Sequence, residues 1–259
     1  MDKLLSADTA LVTGGASGIG RAICIALTNE GARVVLSDVD TAHGETLATT
    51  LRQAGSEAHF LTADLSQDTG AMSLLEATRA LVGNPSILVH SASPRRREAD
   101  HSMAVDADTW NEMLGVNVRS GFLLAREIGR RMAKEGVKGR MLFITSLHAE
   151  SPRNLPHYSA AKAGQTMVVK ELARALGRHG IRINAIAPGA IPGGGFDAKG
   201  AGIERLAACT SLGRLGRPEE IAGMAVALLS ERYSSYVTGT TVVVDGGIAL
   251  HNWIEPYLD

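Results

Sequence analysis

Seven short runs of β-branched and aliphatic residues punctuate the chain at Ala10–Thr13, Arg33–Ser37, His59–Ala63, Ile87–Ser91, Arg140–Thr145, Ile181–Ala187 and Thr241–Val244. Their apolar character is nearly continuous rather than alternating, which is the pattern of strands covered on both faces. Longer segments with helical periodicity lie between them, so each strand is predicted to pass through a right-handed crossover to a parallel neighbour. The expected fold class is α/β, a doubly wound, seven-stranded parallel sheet with helices on both faces. No internal repeat, low-complexity tract or linker divides the chain, and one domain is expected across 1–259. Between Pro188 and Gly202 the sequence has six glycines and two prolines. That density reads as a loop, with a candidate substrate lid at about 192–213. A separate tail is expected at 248–259.

Composition removes several function classes. With 26 basic and 27 acidic side chains there is no global field to gather nucleic acid or an anionic membrane, so neither is an expected partner. No stretch approaches the roughly 20 consecutive apolar residues of a membrane helix, and Met1 to Thr9 is short and polar. The two cysteines, Cys24 and Cys209, make no disulfide framework, and a reducing cytoplasm fits this usage. At 45% hydrophobic residues and 259 positions, the chain can bury a substantial core. No metal-ligand spacing stands out, so the expected partner is a small molecule.

The first strand runs into Thr13-Gly14-Gly15-Ala16-Ser17-Gly18-Ile19-Gly20, and a helical stretch follows from about Arg21. Glycines at such a turn allow backbone to approach a pyrophosphate, which the first N–H groups and the positive helix end can hold. A tight turn without a ligand would use the same residues. About 20 residues on, Asp38 closes the second strand, where a carboxylate can accept both ribose hydroxyls of NAD and would repel a 2′-phosphate. The alternative for Asp38 is a cap for the helix starting at Thr41. Asp64, with Leu65 beside it, offers a carboxylate to an adenine amino group or caps another helix.

His157-Tyr158-Ser159-Ala160-Ala161-Lys162 opens a predicted helix, and the spacing of four puts Tyr158 and Lys162 on one face. A phenol ionises near pH 10 in isolation, and a neighbouring ammonium favours its ionised form, so the pair suits proton transfer. Chance pairs of this kind also occur on solvated helices. Ser146 ends the fifth strand, twelve residues before Tyr158, and can present its hydroxyl near that helix. Asn117 sits in a long helical segment, Met113 to Val118, where an amide on an apolar face needs partners, a kink or a water. Both residues could instead satisfy nearby backbone groups.

Taken in order, these motifs resemble the short-chain dehydrogenase/reductase family from Leu11 to about Gly247, a single-domain Rossmann fold. Asn184-Ala-Ile-Ala-Pro-Gly189 and Tyr236-Val-Thr-Gly-Thr-Thr-Val-Val-Val-Asp-Gly-Gly247 complete the likeness. The resemblance implies an oxidoreductase that moves a hydride between NAD and a carbon bearing a hydroxyl or carbonyl. It implies Tyr158 as general acid/base, Lys162 as the residue tuning it and holding the nicotinamide ribose, Ser146 as substrate positioner, and Asn117 as anchor of a proton-relay water. It also implies cofactor contacts at Gly14, Ser17, Gly18, Ile19, Gly20, Asp38, Asp64, Leu65, Ser91, Ala92, Tyr158, Lys162, Pro188, Gly189 and Ile191, and a homotetramer, with Glu171–Leu176 and Val242–Leu250 as possible subunit contacts.

Two departures stand out. Members usually carry Asn-Asn-Ala-Gly after the fourth strand, where this chain has His90-Ser91-Ala92-Ser93, and a threonine soon after Pro-Gly, where this chain has Pro192 and Gly193. His90 either replaces the usual asparagine in the sheet centre or is a neutral buried histidine without an active role. For the substrate, Ser146-Leu147-His148 followed by His157-Tyr158 is similar to bacterial glucose 1-dehydrogenase-like members, in which a histidine two after the serine lines the sugar pocket. That points to His148. Arg95 and Arg96, in the run to Arg97, stand where those enzymes place an acidic sugar ligand, and the loop here is one residue shorter. Arginines there suit an anionic sugar, or they are solvated or subunit-facing charges. Arg153 is a further candidate. The expected reaction is oxidation of an aldose, with acidic and sulfonated sugars among the candidates, to its lactone. The alternatives are a polyol or secondary-alcohol dehydrogenase, a 3-oxoacyl-carrier-protein reductase, and a non-catalytic NAD-binding sensor.

Overall fold

A computed structural model describes residues 3–193 and 201–250. The residues fold in the order β1 (Thr9–Thr13), α1 (Gly18–Asn29), β2 (Arg33–Asp38), α2 (Thr41–Gln53), β3 (Ala58–Thr62), α3 (Gly70–Val82), β4 (Ile87–His90), α4 (Ala107–Leu114) and α5 (Ser120–Glu135). There follow β5 (Arg140–Ile144), α6 (Pro156–Leu176), β6 (Arg182–Pro188), α7 (Ala201–Ala208), α8 (Pro218–Leu229), α9 (Glu231–Ser234) and β7 (Thr241–Val244). All seven strands are parallel, in the order β3-β2-β1-β4-β5-β6-β7. Each expected strand forms, with ends displaced by a residue or so.

The nearly continuous apolar runs have a direct cause. Ala10, Val12, Val34, Leu36, Ile87, Val89, Leu142 and Ile144 enter one buried cluster with α1, α2 and α8. Their neighbours Leu11, Val35, Leu88, Met141 and Phe143 enter a second one with α3, α5 and α6. Alternate side chains leave opposite faces of a strand, so two covered faces require two sets of apolar residues. At the N-terminal ends of the central strands, Arg140 pairs with Asp8, and Arg182 meets Glu231 at 3.0 Å. The opposite edge, where strand order reverses between β1 and β4, is left for binding.

Three expectations change here. The expected lid contains the helix α7, while its residues 194–200 lie outside the described residues, as does most of the expected tail, 251–259. Asn117 does not lie in a continuous α-helix: a π-helical turn, Gly115–Arg119, joins α4 to α5. The strand β5 stops at Ile144, so Ser146 lies two residues past its end and receives the N–H of His148 at 3.2 Å.

Candidate active site

The turn after β1 is pressed against the exit of β4. Gly14 has φ +68°, and a Cβ there would stand 2.7 Å from Ala92 Cα, so no other residue fits without moving one of the two segments. Ser91 N–H donates to the Thr13 carbonyl at 3.2 Å. The helix α1 then begins after Ser17, which makes no side-chain cap bond, and its first turn carries no acidic residue. Among the described residues, the N–H groups around Gly18, Ile19 and Gly20 therefore have neither a capping side chain from Ser17 nor an acidic residue in their own turn to compete with an anion.

Asp38, at the end of β2, accepts the backbone N–H of Ala16 at 3.1 Å and that of Asp40 at 3.2 Å. It thus ties the glycine turn to β2 while its carboxylate stays half-buried at the sheet edge. The cap on α2 comes from Asp40, which accepts from His43 N at 3.1 Å, not from Asp38. Asp64 is exposed and turns inward on its own loop, accepting from Ser66 N, Ser66 Oγ and Gln67 Nε2. Those bonds hold its carboxyl below the ordinary range, with the Ser66 hydroxyl the largest cause. Leu65 beside it is buried. Pro188 ends β6, Gly189 N–H donates to Val244 O at 3.1 Å, and Ile191 packs against the first core cluster.

The helix α6 begins with Pro156, whose missing N–H costs nothing at a first turn. One turn separates Tyr158 from Lys162, and both are buried. Lys162 Nζ donates to the carbonyl of Ile144 at 2.8 Å and lies 5.6 Å from the Tyr158 ring centre. Burial, and after it the charge of Arg96, lowers the Lys162 ammonium from 10.5 to about 7. The π-turn buries Asn117: its Nδ2 donates to Met113 O at 3.0 Å and Ser93 Oγ at 3.2 Å, while its Oδ1 has no partner among the described residues. Its backbone carbonyl receives Gln165 Nε2 at 3.0 Å and His90 Nε2 at 3.1 Å.

His90 therefore has a structural task. Nε2 faces the two carbonyls of Val116 and Asn117, so it carries the hydrogen, and Nδ1 accepts from Thr13 Oγ1 at 2.9 Å. One neutral ring links the end of β1 to the π-turn. Its space comes from Gly121, where a Cβ would stand 2.7 Å from the ring. Neither Gln165 nor Gly121 was singled out in the sequence, and Thr13 was named only as the start of the glycine turn. A polar residue three positions after Lys162 on the same buried face was the available signal for Gln165.

At the mouth, the three arginines separate. Arg95 and Arg97 are exposed, whereas Arg96 is half-buried with its guanidinium carbon 4.6 Å from the Tyr158 ring centre. The ring of His148 meets Tyr158 edge-on at 6.3 Å, with Nδ1 donating to Ser151 O at 2.9 Å. Burial, above all, lowers its pKa. Arg153 pairs with Glu98 at 2.6 Å, so its charge is already met. The structure thus brings Lys162, Arg96 and His148 around Tyr158, and Ser146 adjoins this group through the bond from His148 N to its Oγ. Among the described residues no helix is long and apolar enough to cross a membrane, and no acidic, histidine or cysteine group is placed to hold a metal.

Comparison with known proteins agrees in outline. The family described as enoyl-(acyl carrier protein) reductase matches residues 14–249. Glucose 1-dehydrogenase 2 of Bacillus subtilis is 34% identical over 256 residues, covering 97% of this chain and 98% of its own. A (3R)-3-hydroxyacyl-CoA dehydrogenase of Mus musculus is 33% identical over 249 residues, covering 92% and 95%. Among solved structures, a short-chain dehydrogenase/reductase from Serratia marcescens aligns with TM-score 0.88 at 30% identity, covering 95% of this chain and 99% of that one. A blue fluorescent protein from a metagenomic library, solved with NADPH, aligns with TM-score 0.87 at 31% identity, covering 95% and 99%. The chain belongs to the short-chain dehydrogenase/reductase family, oxidoreductases that act on CH–OH groups with a nicotinamide cofactor.

Proposed function

We propose that the protein oxidises an aldose at its anomeric carbon to the lactone, with NAD as the acceptor. The observation that carries the reading is the buried Tyr158–Lys162 pair flanked by His148, whose N–H binds the Ser146 hydroxyl two residues earlier. The similarity to a glucose 1-dehydrogenase over nearly the full length favours a sugar.

The residues present fit a dinucleotide. The uncapped, acid-free first turn of α1 suits a pyrophosphate, the close approach of Gly14 and Ala92 leaves backbone at the groove floor, and Asp38 suits free ribose hydroxyls. A 2′-phosphate beside that carboxylate would be repelled, which is why NAD is preferred over NADP. When bound, the dinucleotide supplies the acceptor for the two electrons and the hydrogen leaving the sugar carbon. Ser146 Oγ orients the reacting hydroxyl, and Tyr158 takes its proton as the carbon–oxygen double bond forms. Lys162 Nζ, 5.6 Å from the Tyr158 ring centre, is the positive group that eases transfer of that proton to the phenol oxygen. In this reading Asn117 Oδ1, buried and without a partner among the described residues, holds a water that returns the proton to solvent. Asp64 and Leu65, Pro188, Gly189 and Ile191 complete the cofactor groove in this reading.

The proposal extends to a cytoplasmic homotetramer, for which Val243, exposed on the edge strand β7, is a candidate contact. A second reading, a 3-hydroxyacyl thioester as substrate, is favoured by the hydroxyacyl-CoA dehydrogenase relatives. Reduction of NAD or NADP should be followed with aldoses, polyols, secondary alcohols and 3-hydroxyacyl thioesters in parallel. Lactone formation with NAD from an aldose is the expected result. Turnover confined to thioesters, or a preference for NADP, would replace the corresponding part of the reading.

A further inference from the structure

The loop after β4 carries three consecutive cations, and only one turns toward the chemistry. Arg96 is half-buried and stacks over Tyr158, 4.6 Å from the ring centre, while Arg95 and Arg97 stand in solvent. The nearby carboxylate of Glu98 is engaged by Arg153 at 2.6 Å. Among the described residues Arg96 has no ion pair. A cation partly removed from water without a counter-charge is unfavourable. This one also stands close enough to a second cation, Lys162, to disfavour its ammonium. Such an arrangement works against folding, and it is what a site for a negative group looks like before that group arrives.

We propose that Arg96 anchors an anionic group of the substrate, a carboxylate or a sulfonate, within a few bonds of the carbon that is oxidised. The guanidinium offers a planar fork that matches either anion through paired hydrogen bonds. The closeness of the two substrate groups follows from geometry. The reacting oxygen must lie within hydrogen-bond reach of the Tyr158 hydroxyl, and the anion must lie within reach of a guanidinium stacked on that same side chain. His148 also meets Tyr158, edge-on, with its Nδ1 fixed by Ser151 and its Nε2 left for a hydroxyl. The inference rests on the oxidoreductase reading of Tyr158 and narrows its substrates to acidic ones.

The test compares matched neutral and anionic substrates with NAD on the full chain: glucose against glucuronate and a 6-sulfonated glucose, and 2-butanol against 3-hydroxybutyrate. Wild type is expected to prefer an anionic member. Arg96→Gln should lower kcat/KM for that member by about ten- to a hundredfold, mainly through KM, and change its neutral partner by less than about threefold. The carboxylated and sulfonated arms decide which anion is meant. Arg97→Gln serves as the control for loss of a surface charge. Equal losses on neutral and anionic members would place the effect of Arg96 on Tyr158 instead and overturn the proposal, as would no loss at all. If nothing in the panel is turned over, the sugar and alcohol reading fails on its own, and the anchor is still tested by calorimetric titration of sodium glucuronate and sodium methanesulfonate into NAD-saturated protein. Saturable binding that Arg96→Gln abolishes supports the anchor. Equal binding by both proteins, or none by either, rejects it.

Discussion

Acidification should weaken this fold through His90, and the size of the effect can be worked from its surroundings. The ring is fully buried between β4, the π-turn and Gly121, and its pKa is pushed from 6.5 down to about 4. Burial is the main cause, the charge of Lys162 adds to it, and the carbonyls of Val116 and Asn117 pull the other way. In the unfolded chain the same ring takes up a proton near its ordinary pKa. Between the two values the unfolded state therefore holds one more proton, and stability falls as pH falls. At about 1.4 kcal/mol per pH unit, the gap from 6.5 to about 4 is worth about 3 kcal/mol. Above pH 6.5 both states are neutral and His90 adds no slope. Urea unfolding of wild type and His90→Gln from pH 4 to 7.5 isolates the effect, because every other titrating group is common to both. The variant should lose about 1–3 kcal/mol at pH 7, where hydrogen bonds go, yet show a flatter acid limb, so that the two curves converge toward pH 4. Parallel curves would refute the assignment of a neutral, charge-excluding site.

The opposite limb belongs to Lys162. Its folded pKa of about 7 lies below the ordinary 10.5, so the unfolded chain holds more protons between those values, and ligand-free stability should gain with rising pH across that window. Denaturation of Lys162→Met measured from pH 7 to 10 should lack this gain, and an unchanged slope would contradict it. Asp38→Ala should weaken NAD binding by about ten- to a hundredfold and narrow the preference over NADP, read by fluorescence titration of both cofactors. An unaltered ratio would separate Asp38 from the ribose.

What the sequence made legible, and what it did not, follows from the range of the interactions. The strands were legible because a sheet covered on both faces needs apolar residues at successive positions, as Leu11-Val12 and Val35-Leu36 show. The glycine turn was legible because its residues lie next to each other. The π-turn at Asn117 was not, since one extra residue in a helical turn shows in the sequence only as a single-position slip of the apolar spacing, which a gap between two helices would also give. Nor was the fate of the arginines: three identical side chains in a row give no sign of which one the loop turns inward. The role of His90 needed Gly121, Thr13 and the carbonyl of Asn117, partners brought together only by the packing of α5 on the sheet. The ring is buried and joins the strands to the π-turn, which is a structural task.

The most direct test of the account is turnover by Tyr158→Phe with the preferred substrate, with NAD affinity measured on the same preparation. The phenol oxygen is the group to which the account gives the substrate proton. Its removal should lower kcat by at least about a hundredfold, with NAD binding held within a few-fold. Near-normal turnover by that variant would show that the proton leaves by another route, and that Tyr158 is not the centre of this site.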